Sequence, residues 1–399
     1  MNSAVRVSLH YISIFSVTGV ALPFAGLWLS SKGMSRAEIG LLLALPMLGR
    51  LLTGPLLAVW ADGFRRRRSA IAIMGLVMAL AYGLAGLVDN IWLRGLCWFV
   101  AATATAAMFP LGDVLALKLA RRDGYPFSLP RGFGSLAFVL ANLTMGALLT
   151  RASVEAVIIW IVTASSLCCL ISLVLLPAID VSEGQGKAPV RDRFRGVGGL
   201  FANRTFMLAV MGIAAIQASH GFYYGFSAIL WKAQGMPESY TGMLWAFAVA
   251  VEVAFMWVVE PWRRRFGISA FTLVAVGAGA AILRWTLMAV EPSIPMLWVL
   301  QVLHALTFAA TYLGSVEIVD ALSPPKDHTA SQTLSSMLSS GLMTGLATAL
   351  SGPLSARFGA AGYLGMTLIA VGGLIAILSV RLPIRRALQN GAGASGAAS

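Results

Sequence analysis

Seven ionisable side chains within the long apolar stretches of this 399-residue sequence are the candidates for chemistry: Arg50, Asp113, His220, Glu252, Arg284, His304 and Glu317. A charge at the depth of a bilayer's hydrocarbon is expensive. Such groups therefore face a partner or a wet cavity, and mark routes for protons, ions or charged solutes. Glu and His bind and release protons. The guanidinium fork of Arg matches a carboxylate with two parallel hydrogen bonds. No nucleotide-binding loop, metal-ligand spacing or Ser/His/Asp arrangement is present, so the reading is a non-enzyme without cofactor or metal. Cys97, Cys168 and Cys169 fall in or at the ends of apolar stretches and form no disulfide framework.

The elements that must position these groups are membrane helices. The chain is 58% hydrophobic and 11% charged, against about a quarter charged for a soluble domain. Twelve apolar runs lie at 8–30, 38–61, 69–89, 95–117, 132–150, 154–177, 205–230, 239–260, 268–290, 295–319, 330–352 and 361–382. Each is about 20 residues or longer, enough to cross a hydrocarbon core of about 30 Å as helix. The ten-residue alternating segments of a membrane barrel do not occur. The first run has no convincing cleavage site and is long enough to span, so it reads as a helix rather than a leader.

The net charge of +13 could suggest nucleic acid, but its distribution points to a bilayer. With the N-terminus in the cytoplasm, the outer loops hold only Lys32, Arg36, Arg94, Arg151, Lys232 and Arg357, while most of the 29 Lys and Arg lie in the inner loops and termini. This is the positive-inside pattern. It predicts a multi-pass protein of the cell inner membrane with both termini cytoplasmic. Its partners are the lipid bilayer, a small-molecule substrate and a proton, with no nucleic acid, and the chain is read as a monomer.

A polar interruption at 179–204, with Gly184, Gly186, Pro189 and the basic run Arg191–Arg195, divides six spans from six. The domains are thus 1–178, a linker 179–204, and 205–383, followed by a Gly/Ala/Ser-rich tail, 384–399, expected to be disordered. Leu111-Gly112-Asp113-Val114 in span 4 is echoed by Leu313-Gly314-Ser315-Val316 in span 10, and Arg65–Arg68 after span 2 by Arg263–Arg265 after span 8. Paired six-helix repeats describe one known transporter architecture.

The loop Ala58-Val-Trp-Ala-Asp62-Gly-Phe-Arg65-Arg-Arg67 resembles the major facilitator superfamily motif Gly-x-x-x-Asp-Arg-x-Gly-Arg-Arg. Ala58, Gly63 and Arg65 depart from it, and the second copy, Glu260-Pro-Trp-Arg-Arg-Arg-Phe-Gly267, departs further. A narrower resemblance, to the phenylpropionate-permease-like branch, rests on several segments. These are Leu22-Pro-Phe24 with Trp28, Arg131-Gly-Phe-Gly-Ser135, Tyr223-Tyr-Gly-Phe-Ser227 with Trp231, Leu244-Trp245 with Glu252, Arg284-Trp285, and Gln301-Val-Leu-His304-Ala-Leu-Thr-Phe308. That branch is related to oligosaccharide and nucleoside proton symporters. The resemblance implies an all-α membrane protein of twelve helices in two pseudo-symmetric bundles, importing small organic molecules by alternating access. It also implies sliding of span 2 against 11 and of 5 against 8. Pro23, Pro46, Pro55 and Pro110 and the small residues Gly341 and Gly345 suit moving parts or plain close packing equally.

Depth, at about 1.5 Å per residue, sorts the ionisable groups. Asp113 and Glu317 lie near the inner ends of spans 4 and 10. Asp113 is expected to pair with Arg65–Arg68 or Arg131, and Glu317 or Asp320 with Arg263, Arg264 and Arg265, as a cytoplasmic gate with Asp62, Arg66 and Arg67. The alternative for Glu317 is proton carriage. Glu252, Arg284 and His304 overlap in depth. Glu252 is read as the proton carrier and His304 as its helper, against a permanent Glu252–Arg284 pair that only fixes packing. Arg50 and Arg284 are read as carboxylate ligands; for Arg50 the alternative is a pair with Glu252 or backbone carbonyls. Phe24, Tyr223, Tyr224, Trp245 and Gln301 complete the expected pocket, while Trp28 and Trp231, near outer span ends, read as interfacial belt. An aromatic pocket with one or two cations suits an arylalkyl carboxylate. The reading is proton-coupled uptake of such an acid. The alternatives are a sugar or nucleoside proton symporter, drug or metabolite efflux, and a non-transporting membrane sensor.

Overall fold

In lipid every backbone N–H and C=O must find its partner within the chain, and the structure meets this with helix. The computed structural model describes residues 2–179, 197–324 and 327–396. The linker's basic run at 191–195 lies outside them. Helices α1 to α6 are Ser3–Ser31, Arg36–Asp62, Arg67–Leu87, Ile91–Asp123, Ser128–Leu149 and Ala156–Val174. Helices α7 to α10 are Arg204–Ala233, Glu238–Arg265, Ala270–Met288 and Ile294–Ala321. The next apolar stretch, Ala330–Ser379, runs 50 residues. As one helix it would be about 75 Å long, far more than a bilayer needs. It is broken at Gly359, whose φ of 57° stops the helix, and by the short turn Gly359–Gly362. The two parts are α11, ending in Thr344–Phe358, and α12, Tyr363–Ser379. Twelve membrane helices result among the described residues. Residues expected to form a disordered tail instead make helix α13, Arg381–Gly396, with 397–399 outside the described residues. Ile384 at its start is fully buried, which gives that helix a tertiary anchor.

Polar caps start the helices where the hydrophobic runs begin. Asn2, Ser35, Asn90, Asn203 and Ser269 each accept a first-turn amide, satisfying donors that no intrahelical carbonyl can reach. Pro23, Pro46, Pro55 and Pro110 sit within continuous helices. Leu52, Leu56, Leu87, Trp257 and Leu368 are largely exposed, a surface that suits lipid and not water.

The chain forms two compact units, Met1–Lys187 with Gly225–Ala246, and Ala188–Tyr224 with Phe247–Ser399. Within the first, α1 packs on α5 and α6, α3 on α4 and α6, and α2 on α4. Within the second, α7 packs on α11 and α12, α9 on α10 and α12, and the end of α8 on α10. The pairing pattern is the same once six is added to each helix number. This is the repeat anticipated from the sequence echo.

In the second unit two helices carry π-helical turns beside ionisable groups: Phe255–Val259 comes after Glu252 in α8, and Ala305–Ala310 after His304 in α10. Such turns appear often at functional sites. Gly277 of α9 makes room for the second one. A Cβ there would stand 2.2 Å from Thr311 Oγ1 and 2.7 Å from the Leu306 carbonyl oxygen. Gly277→Val is therefore expected to destabilise the protein by about 1–3 kcal/mol or more. A thermal melt of the purified protein checks this. Gly279→Val, on a face with nothing within 4 Å, is the matched control and should leave the midpoint nearly unchanged.

Candidate functional site

The second unit gathers its ionisable groups around Arg284. Arg284 is fully buried on α9. Its guanidinium donates to His304 Nδ1 at 2.9 Å, to Thr307 Oγ1 at 3.3 Å and to Gln301 Oε1 at 2.6 Å. It lies over the rings of Tyr223, 5.0 Å away, and Trp285, 4.6 Å away. Gln301, His304 and Thr307 all come from α10, Thr307 from its π-helical turn. These hydrogen-bond partners of Arg284 are all neutral, and its Nε–H has none. Neither has Gln301 Nε2. Burying a charge without a counter-charge is costly.

Hydrogen-bond logic fixes the tautomers. A guanidinium only donates, so His304 Nδ1 carries the lone pair and its ring proton sits on Nε2. That nitrogen faces Glu252 Oε2 at 3.7 Å. His220 Nδ1 contacts the Gln217 carbonyl at 2.9 Å and therefore donates, leaving Nε2 to accept from the Thr307 hydroxyl at 3.0 Å. Two chains of donors thus run outward from Arg284. One passes through His304 toward Glu252, and the other through Thr307 and His220 to backbone. Tyr223 donates to Gln301 Oε1 at 3.4 Å. Trp285 donates to Ser219 at 2.8 Å and stacks on Tyr363, with ring centroids 5.7 Å apart. The wall around the cation is aromatic.

The direct Glu252–Arg284 pair weighed as the alternative does not form among the described residues; His304 stands between them, its ring 2.9 Å from Arg284 and 3.7 Å from Glu252. Of the residues read as substrate ligands, the second unit holds Arg284, Tyr223, Tyr224 and Gln301, with Tyr223 fully buried and Tyr224 half-buried. Phe24, Arg50 and Trp245 belong to the first unit. Phe24 is fully buried there, and the Trp245 indole donates to Ser227 at 3.2 Å. Arg50 is exposed and makes no hydrogen bond or ion pair among the described residues. Trp28 and Trp231 are buried, not a belt: Trp28 stacks on Trp98 at 5.8 Å and donates to Glu155 at 3.2 Å. Sequence reasoning missed Thr307 and Tyr363. A hydroxyl three residues beyond His304 was the available signal for the first; nothing near Tyr363 distinguished it.

The residues read as gate form two separate clusters. In the first unit Asp113 accepts from Arg131 at 2.5 Å and from Tyr11 at 2.5 Å, with Arg131 seated among the rings of Tyr11, Phe15 and Phe109. Arg67 pairs with Asp62 at 2.9 Å, while Arg65 and Arg66 are exposed. In the second unit Arg263 grips Glu260 with two bonds of 2.7 Å and reaches Glu317 at 2.6 Å. Arg264 bonds Glu260 at 2.7 Å and Glu317 at 3.4 Å. Arg265 is exposed and has no partner among the described residues. Glu317 therefore sits in an arginine cluster and apart from the Glu252–His304 group. Asp320 accepts from Gln332 at 2.9 Å rather than from an arginine. No group of His, Cys, Asp or Glu suited to a metal occurs among the described residues.

Over residues 4–363 the sequence matches the profile of a family described as MFS_1 like. It is 28% identical to a protein of Escherichia coli (strain K12) named a probable 3-phenylpropionic acid transporter, across 80% of this chain and 83% of that one. It is 25% identical to a maltose permease of Geobacillus stearothermophilus, across 82% and 81%. Among solved structures, the nucleoside transporter NupG superposes with a TM-score of 0.80 at 16% identity, covering 96% of this chain and 99% of that one. A bacterial homologue of the human lysosomal transporter Spinster gives a TM-score of 0.72 at 17% identity, covering 97% and 96%. At such identities the structural likeness speaks to the fold alone.

Proposed function

The chain belongs to the MFS_1 like family and is a secondary transporter, and we propose that it takes up a small aromatic carboxylate together with a proton. The observation that carries this is Arg284: a buried cation with neutral partners, an unpartnered Nε–H, and aromatic faces on either side. A carboxylate supplies the missing charge and the acceptor; an aryl group matches Tyr223 and Trp285. The relative named a probable 3-phenylpropionic acid transporter supports the same class. The transporter works in a cell inner membrane with both termini cytoplasmic, as the distribution of Lys and Arg favours.

Coupling arises from the tautomers. While Arg284 donates to His304 Nδ1, that nitrogen cannot carry a proton, since donor would face donor. A substrate carboxylate that draws Arg284 toward itself frees Nδ1. Nδ1 can then take up a proton while Nε2 passes its own to Glu252, so that the carboxyl holds the coupling proton. Proton and acid are favoured together, as symport requires. The arginine clusters around Asp113 and Glu317 latch the inner ends of their own bundles.

The test is uptake of labelled 3-phenylpropionate into proteoliposomes, with and without an inward proton gradient. Protein-free vesicles set the baseline, because weak acids cross lipid unaided. A gradient-dependent initial rate of uptake above that baseline is expected, with competition by arylalkyl acids and none by maltose or nucleosides. Competition by neutral solutes instead would transfer the assignment to a sugar or nucleoside symporter.

A further inference from the structure

The second unit also contains a cavity that the transport site does not use. It has a volume of about 790 Å³ and is lined by Arg263, Arg264, Glu317, Arg385, Leu388 and the segment Gly267–Ala270 at the start of α9. Binding sites for small ligands run to about 300–1,000 Å³, so it is large enough for an organic ligand. Its charged lining is three arginines against one carboxylate, Glu317. Arg263 and Arg264 are held by Glu260 and Glu317. Arg385 is not held by any acid: it is exposed, lies 5.1 Å over the Phe271 ring, and has no ion pair among the described residues. The first turn of α9, a helix of 19 residues, adds amide donors that no intrahelical carbonyl can accept, at the positive end of the helix dipole. Ser269 caps one amide, that of Thr272, at 3.2 Å. Ile268 and Leu388 give the cavity an apolar flank.

We propose that this cavity binds a phosphate-bearing anion at the basic end of the helices. Arg385 and the α9 amides take the phosphate oxygens, and Arg264, 67% exposed at its side chain and held at 2.7 Å by Glu260, adds its positive charge beside them. Two sources share this chemistry: the headgroup of an anionic phospholipid, and a free phosphate monoester. The cavity's size and its apolar flank, with α13 packed against the ends of α9 and α10, favour the headgroup with its glycerol.

The experiment is a thermal melt of the purified full chain in a neutral detergent, titrated separately with phosphatidylglycerol, phosphatidylcholine and glycerol 3-phosphate. Phosphatidylglycerol is expected to raise the midpoint saturably. Arg385→Gln should melt like the wild type without additive, yet need roughly tenfold or more phosphatidylglycerol for half of the rise, the loss of one charge-assisted hydrogen bond. Arg385→Lys keeps the charge and should stay closer to wild type. Phosphatidylcholine, with the same phosphate but no net charge, should have little effect. If glycerol 3-phosphate alone gives the rise, with the same Arg385→Gln defect, the site stands and its source is soluble. If Arg385→Gln and wild type respond alike, or neither phosphate compound shifts the wild type, the proposal is overturned.

Discussion

Replacing Arg284 by glutamine is expected to weaken binding of 3-phenylpropionate by roughly thirty- to several-thousandfold, the cost of removing one partner from a buried, hydrogen-bonded charge pair. The side chain is fully buried, so no water replaces the lost charge. A glutamine in its place would also leave the substrate carboxylate facing Gln301 and His304, neither a fixed cation. Arg284→Lys keeps a charge but loses the planar fork and its reach to both His304 and Gln301. Its expected loss is roughly tenfold or more, one charged hydrogen bond. Stability should move the other way. Without acid, Arg284→Gln removes a buried charge whose hydrogen bonds go to neutral partners, so its melting midpoint should equal or exceed the wild type's. The acid should then no longer raise it. A purely structural arginine predicts the reverse: a lower midpoint and unchanged affinity. Isothermal titration and a thermal melt on the same samples separate the two. Wild-type affinity in Arg284→Gln would remove the carboxylate assignment.

That prediction rests on a residue that the sequence marked, in surroundings it did not. The twelve helices were legible because each apolar run is long enough to span. The family was legible from Asp62–Arg67 and the segments around Tyr223, Arg284 and His304, and the match over residues 4–363 agrees. Arg284, His304 and Gln301 were picked out because polar groups are scarce in these spans. Their mutual arrangement was not legible, because helical phase between different spans is not written in spacing. The π-helical turn after His304 makes this worse. One inserted residue rotates the rest of the helix by about 100°, and so a straight-helix count misplaces Thr307. The belt reading of Trp28 failed for a related reason: position near a helix end gives depth, not facing, and Trp28 faces Trp98. The tail was misjudged from composition alone. Its small residues conceal an anchor, Ile384, buried against the bundle.

Glu252→Gln is expected to abolish uphill accumulation while leaving exchange of acid for acid intact. Glutamine has the shape of the protonated carboxyl, so the site keeps its geometry. It cannot lose or gain a proton, so the gradient has nothing to act on at that position. The initial rate of gradient-driven uptake should exceed the protein-free baseline in the wild type, and the variant should fall to that baseline. Counterflow in vesicles preloaded with unlabelled acid should continue at a comparable rate. Glu317→Gln supplies the contrast. Glu317 is tied to Arg263 at 2.6 Å, away from His304, so this variant should slow or bias conformational cycling and still accumulate acid above baseline. If Glu317→Gln lost accumulation and Glu252→Gln kept it, proton carriage would pass from the aromatic site to the arginine cluster. The opposite result places coupling one imidazole away from the substrate's cation, close enough for either ligand to change the other's affinity through His304.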